Sequence, residues 1–214
     1  MATGDLTTPS AVATDLGVSS GDARLTRCIS AASAAILRYL GRPQLHFSSE
    51  IEESVRGFGG VRLLLGVTPV LSVDSVAHLG TTLDDWTLED SGAGFLYRKS
   101  GWPWTGQARA GLLYEDGAAG SEEASITVTY SGGFVTPSQV EASPLLVRTL
   151  PHDLEEACIQ TVYALFRSTG RDPMISAESL GAYSASFRPG SSGRGGVIPD
   201  HVLPQLAPFR RLAP

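Results

Sequence analysis

Four histidines, three acidic runs, one His-Asp dipeptide and a Trp-Pro-Trp triplet are the parts of this sequence whose residue types could do chemistry. His46, His78, His152 and His201 lie far apart, and none has a second His or Cys at the spacing a zinc site uses. His152 beside Asp153 is half of a hydrolytic pair. Neighbours on a helix point about 100° apart, however, so the dipeptide reads as decoration of a helix start. Glu50, Glu52 and Glu53, then Asp84, Asp85, Glu89 and Asp90, then Glu122 and Glu123 offer oxygens to a hard cation. None of these runs has the Gly-centred loop of a dedicated calcium site, so they read as solvated strand edges and turns. Trp102-Pro103-Trp104 would be a stacking platform if exposed and a kinked plug at one end of a sheet if buried. Burial is the expectation.

Two glycine-rich stretches fail as phosphate or nucleophile motifs. Gly57-Phe58-Gly59-Gly60 has the wrong spacing for a dinucleotide turn and reads as a hairpin. Gly190-Ser191-Ser192-Gly193 falls in a low-complexity stretch with no strand to strain a nucleophile elbow. No catalytic residue, metal site or cofactor is therefore expected. The formal charge of −6 and the scattered basic residues speak against nonspecific nucleic-acid binding, which needs clustered Lys and Arg. A hydrophobic content of 42% with 18% charged residues is ordinary for a globular chain, and 24 Gly with 13 Pro predict many turns. Cys28 and Cys158 fall on apolar helix faces and are expected as buried thiols, since a disulfide would need an oxidising compartment. Met1-Ala2-Thr3-Gly4-Asp5 has neither a basic nor an apolar leader region, and no run approaches the ~18 apolar residues of a membrane span. A soluble protein made in a cytoplasm, without a membrane partner, is the expectation.

The elements that must carry these residues are legible in part. Residues 5–17 predict a short helix, with Thr7 or Thr8 as N-cap, Pro9 in the first turn and Gly17 at the end. A second helix spans about 22–40, where Leu25, Cys28, Ile29, Ala32, Ile36, Tyr39 and Leu40 recur at spacings of three and four. Ser19 or Ser20 is its expected cap, Asp22 suits the positive end of its dipole, and Gly41 with Pro43 stops it. From 44 to 134 the helical period gives way to short strands at 45–47, 62–65, 70–79, 86–88, 95–98 and 126–130. Residues 107–125 read as a projecting hairpin or mobile loop, and 136–149 as a linker. A third helix over about 151–168, with Pro151 in its first turn and a wide apolar front, is the natural partner of the second. Residues 188–196 read as a flexible linker. The tail beyond it regains apolar spacing through Val202, Leu203, Leu206 and Phe209 and ends on Arg210 and Arg211.

The predicted class is α+β: an antiparallel helical bundle core, an inserted mainly antiparallel β module and an extended C-terminal arm. The expected divisions are 1–43 (N-terminal helices), 44–134 (β module), 135–187 (linker, third helix and a short extended segment) and 188–214 (linker and arm). Leu25, Ile29, Ile36, Tyr39, Leu154, Cys158 and Leu165 are the expected helix-packing contacts.

Five stretches in this order form a familiar series. They are Arg38-Tyr39-Leu40-Gly41-Arg42, Leu63-Leu64-Leu65, Pro69-Val70-Leu71-Ser72-Val73-Asp74-Ser75-Val76, Ile126-Thr127-Val128-Thr129-Tyr130-Ser131-Gly132-Gly133-Phe134 and Leu150-Pro151-His152-Asp153-Leu154-Glu155-Glu156-Ala157. Over most of residues 5–212 the chain resembles the head–tail connector (adaptor, or head-completion) proteins of tailed bacteriophages and gene transfer agents. The resemblance implies a structural virion protein without catalysis. It implies a homo-oligomeric ring, typically twelvefold, beneath the portal protein and above a stopper or tail terminator protein. Double-stranded DNA would pass through the ring without sequence-specific binding. The location implied is the virion neck, with assembly in the host bacterial cytoplasm. An acidic chain suits such a channel, because a repelling wall does not trap phosphates. Val202, Leu203, Leu206, Phe209, Arg210 and Arg211 are then expected to reach a neighbouring subunit or the portal. Two other readings stand beside this one. The first is a carbohydrate- or ligand-binding β module stacking on Trp86, Trp102 and Trp104. The second is a small hydrolase around His152 and Asp153.

Overall fold

The computed structural model describes residues 4–105, 126–168, 177–180, 183–186 and 197–211, so the expected loop at 107–125 and linker at 188–196 lie outside the described residues. The chain divides into a helical unit, residues 1–46 with 135–214, and a β unit, residues 47–134.

In the helical unit, α1 (Pro9–Leu16) starts where the Thr8 hydroxyl accepts from the Ala11 amide and Pro9 occupies a position that needs no donor. Gly17 ends it at φ 65°, a left-handed conformation that costs glycine nothing. For α2 (Ala23–Leu40) the cap is Asp22 rather than Ser19 or Ser20: its carboxylate accepts from the Arg24 amide at 2.7 Å. A charged acceptor at the positive helix end outcompetes a hydroxyl, and Ser19 instead takes the Gly21 amide.

Helix α4 (His152–Ser168) runs antiparallel to α2. Arg24, at the start of α2, lies over the ring of Phe166, near the end of α4, at 4.5 Å and donates to its carbonyl. Midway, Ser33 Oγ stands 3.6 Å from Cys158 Sγ. Leu25, Ile29, Ile36, Leu154 and Cys158 are fully buried in this unit, while Tyr39 and Leu165 are half-buried at its margin. The segment before α1 is inserted among the helices. Leu6 N donates to Ser33 Oγ, Ser30 Oγ donates to Asp5 Oδ1, and Ser138 Oγ donates to the Asp5 carbonyl. Both cysteines are buried and neither is in a disulfide.

Two expectations are corrected here. The 136–149 stretch holds a helix, α3 (Pro137–Ala142), nucleated by a reciprocal Thr136–Gln139 capping box with Pro137 in the first turn. The tail is also not an extended arm. A 3-10 turn (Asp200–Val202) leads into α5 (Leu203–Leu206) and a second 3-10 turn (Ala207–Phe209). Val202 and Leu206, one helical turn apart, are fully buried, and α5 with its leading turn packs on α4. Arg211 N closes on the Leu40 carbonyl at 2.8 Å. Strands β8 (Ala177–Leu180) and β9 (Tyr183–Ser186) pair antiparallel. No described helix is long and apolar enough to cross a membrane.

Among the described residues, the β unit has two antiparallel sheets. One has the order β1-β7-β3-β4, from Ser48–Val55, Ile126–Gly132, Val70–His78 and Thr81–Thr82; the other has β2-β6-β5, from Arg62–Leu64, Phe95–Arg98 and Trp86–Asp90. Their inner faces share one core, with Val70, Val76, Ile126, Val128 and Tyr130 from the first sheet and Leu63 and Leu96 from the second. The strand expected at 45–47 lies instead at β1; alternating carboxylates conceal its apolar partners Ile51 and Val55. Tyr130 OH donates to Glu53 Oε2 at 2.6 Å and accepts from Val67 N at 3.0 Å, while Gly66 N also reaches Glu53 Oε2. A Cβ on Gly66 would stand 2.6 Å from Glu53 Oε1, so any larger residue here would displace the carboxylate that holds the turn.

Candidate functional site

Among the described residues, those that could do chemistry are not brought together. His152 Nδ1 stands 2.9 Å from an Arg148 guanidinium nitrogen, and Arg148 is ion-paired to Glu155 at 2.6 Å. His46 is half-buried beside Gly4, and its burial pushes its pKa down. His201 is exposed in the turn before α5. Among the described residues, no group of three or more His, Cys, Asp or Glu side chains stands close enough to hold a metal ion. Asp85 and Glu89 are held below the usual carboxylate range by hydrogen bonds from Arg98 and Arg62, in exposed pairs at 2.7 and 2.5 Å. The thiol of Cys158 is pushed up to about 12 by burial, which leaves it a packing group and not a nucleophile.

The tryptophans divide. Trp102 is 2% exposed in the β-unit core, with the Arg98 guanidinium over its ring, so it is the expected plug. Trp104 is not buried: it is 44% exposed, bridges by its backbone to Phe58, and meets that ring edge-on at 6.0 Å. Trp86 is half-buried, and its indole donates to the Leu83 carbonyl. A three-tryptophan stacking surface therefore does not exist.

Among the described residues, two surfaces stand out. At the C-terminal end of α2, two segments far apart in sequence gather four arginines. Arg38 lies in the last helical turn and Arg42 just beyond the Gly41 cap. Arg42 Nε donates to the Phe209 carbonyl at 3.1 Å, and Arg210 lies over the Tyr39 ring at 5.6 Å. Arg211 is held by its amide to Leu40. Burial, and then the nearby charge of Arg211, lower the pKa of Arg42. Arg38 and Arg210 are exposed. Of the expected tail contacts, Val202 and Leu206 are spent inside the unit, whereas Leu203, Phe209, Arg210 and Arg211 keep exposed surface.

The second surface is the outer face of the four-stranded sheet. Along β1, Ile51, Glu53 and Val55 turn to the core, leaving Glu50, Glu52 and Ser54 exposed. Register sets Glu52 beside Thr129, and Thr129 beside Ser75. Ser72 Oγ and Ser131 Oγ are 2.8 Å apart, and Ser72 also donates to Asp74. This face is hydroxyls framed by carboxylates, with no Lys or Arg at its outward positions. The charge of the chain is split the same way. Residues 47–134 carry 12 acidic and 5 basic side chains, a formal −7, and the remainder carries 10 and 11, a formal +1. The Arg38–Arg42 half of the cluster and the β1 face were missed from sequence. The period-two alternation of β1 was the available signal for the second; nothing local signals the first.

No protein-family model matches the chain, and no curated protein does. Solved structures do. A chain from the neck of an empty gene transfer agent (GTA) particle, computed with C6 symmetry, is 16% identical with a TM-score of 0.56, the match covering 100% of this chain and 94% of that one. A chain of the virion of a native GTA particle is likewise 16% identical with a TM-score of 0.55, covering 99% and 92%. The resemblance to neck proteins of phage-like particles thus holds at the level of fold and across the whole chain, both units included.

Proposed function

We propose that this chain is a non-enzymatic structural protein of a phage or gene transfer agent virion, placed in the neck between head and tail. The observation that carries the reading is the whole-length match to a GTA neck chain, which includes the β unit as well as the helices. Copies assemble into a ring, twelvefold in our reading, that joins the portal protein to a stopper or tail terminator and extends the channel for double-stranded DNA. Assembly takes place in the host bacterial cytoplasm. The acidic β unit suits a wall past which phosphates must slide. Docking to the neighbouring subunit or the portal falls to the 197–211 segment. There Val202 and Leu206 anchor the turn, and Leu203, Phe209, Arg210 and Arg211 present it.

The exposed Phe58–Trp104 pair favours a second reading, a β module that stacks a planar ligand. Light scattering on the purified chain, alone and mixed with the portal of the same genetic neighbourhood, separates the two. A ring-sized species, or a monomer that joins portal complexes, is expected. A monomer that ignores the portal would overturn the neck reading and turn attention to Trp104.

A further inference from the structure

We infer that the arginine cluster at the C-terminal end of α2 docks on the outer sheet face of a second copy of this chain. The inference rests on the ring reading and names the contact between its subunits. A helix C-terminus offsets about half a positive charge. Arg38, Arg42, Arg210 and Arg211 together exceed that several-fold, so the dipole of α2 does not account for their gathering. Two are exposed, and the other two sit close enough that the charge of Arg211 bears on Arg42.

The complement is on the same molecule. Glu50, Glu52 and Asp74 frame the hydroxyls of Ser72, Thr129 and Ser131 on a face without cations. A guanidinium has five donors in a fixed fork, which matches carboxylates bidentately and reaches hydroxyls beside them. An apolar partner would strip water from those carboxylates and offer no charge in return. The charge partition selects the geometry of association. Two β units meeting would set −7 against −7, whereas a helical unit meeting a β unit sets a unit of net +1, with four of its eleven arginines gathered in this cluster, against −7. A contact between two different patches is heterologous, and repetition of a heterologous contact closes a ring when its rotation permits.

The test is a charge swap in the full chain, read by sedimentation velocity at about 50 mM salt, where exposed charges are least screened. One variant reverses the cluster (Arg38→Glu with Arg210→Glu), one reverses the face (Glu50→Arg with Glu52→Arg), and one carries all four. Each changes exposed positions, and far-UV circular dichroism verifies that it folds. Each reversal is expected to weaken self-association at least ~10-fold, and the four-fold variant to recover to within ~3-fold of wild type. The inference is overturned if the wild type stays monomeric, if either reversal associates like wild type, or if the combined variant fails to recover. It is also overturned if the cluster reversal abolishes binding of a short duplex DNA while leaving association intact, which would give the arginines to phosphate. The neck reading is judged apart from this, by whether the chain joins portal complexes.

Discussion

Truncating Leu206 decides whether the C-terminal segment is core or arm. Its side chain is fully buried and belongs to a single helical turn packed on α4. Leu206→Ala removes three carbons, worth about 0.8 kcal/mol each in transfer terms, or about 2.4 kcal/mol. A residual cavity raises such losses into a range of about 2–5 kcal/mol. The segment lies near the described end of the chain and can partly collapse, so a value near the lower part, about 3 kcal/mol, is expected. The assay exploits the placement of the tryptophans. Trp86, Trp102 and Trp104 all lie in residues 47–134, so fluorescence follows the β unit while the helical far-UV signal follows the other. In urea, Leu206→Ala should move the helical transition to lower denaturant and leave the fluorescence transition in place, and volume-conserving Leu206→Met should cost under ~1.5 kcal/mol. Arg210→Ala, at an exposed position, should stay within ~0.5 kcal/mol of wild type. A Leu206→Ala chain as stable as wild type that no longer joins portal complexes would refute the argument and restore the docking arm.

Three further outcomes are expected. Tyr130→Phe strands the buried Val67 amide and removes a hydrogen bond to the Glu53 carboxylate, so the fluorescence-detected transition should lose about 2 kcal/mol; no loss would mean that the turn at 66–69 is held otherwise. Gly57→Ala places a Cβ 1.9 Å from the Pro103 carbonyl oxygen, which the backbone cannot accept, so Trp102 emission should shift to the red as its plug is displaced. Cys28 and Cys158 should resist a thiol reagent in the native chain and react on unfolding. With its folded pKa raised to about 12, Cys158 favours the folded state fully below the ordinary thiol pKa near 9, and this contribution is lost between about pH 9 and 12. Denaturant midpoints across that window, compared with those of Cys158→Ala, check the sign.

What could be read from the sequence was whatever a local period or cap encodes. The three-and-four spacing of Leu25, Ile29 and Ile36 gave α2 with its Gly41 stop, and α4 followed from Leu154, Ala157, Cys158 and Val162. Strands β3, β5, β6 and β7 fell where short apolar runs meet turn residues. Helix α3 was missed although Thr136-Pro137-Ser138-Gln139 spells a capping box, because its Pro and Ser content resembles a linker. Strand β1 was missed because Glu50, Glu52 and Glu53 outweigh Ile51 and Val55 in any average, although the alternation is present. Trp102 and Trp104 have the same local signature. Only the paths of Gly57 to Phe58 and of Thr105, whose hydroxyl accepts from Gly57 N at 2.8 Å, decide that one ring enters the core while the other meets Phe58 outside it.

Net charge was the least faithful guide, for a physical reason. A total of −6 with dispersed arginines excludes a basic stripe written along the chain, and nothing more. The β unit accounts for the whole negative balance, while the helical unit has eleven basic residues, all arginine, against ten acidic ones. Its cluster draws on residues 38–42 and 210–211, which no sequence window contains together; the Arg211 amide on Leu40 and the Arg42 guanidinium on the Phe209 carbonyl create it. An acidic protein can therefore carry a basic surface where the fold joins distant segments. An assembling protein that must avoid DNA has reason to keep the two charges on separate units. Carboxylates repel phosphate wherever they face it, and a guanidinium cluster is harmless to passing DNA only where something else covers it. Covering the cluster with the outer sheet face of a neighbour keeps it from passing DNA, and the carboxylates of the β unit outside that face remain to repel phosphate.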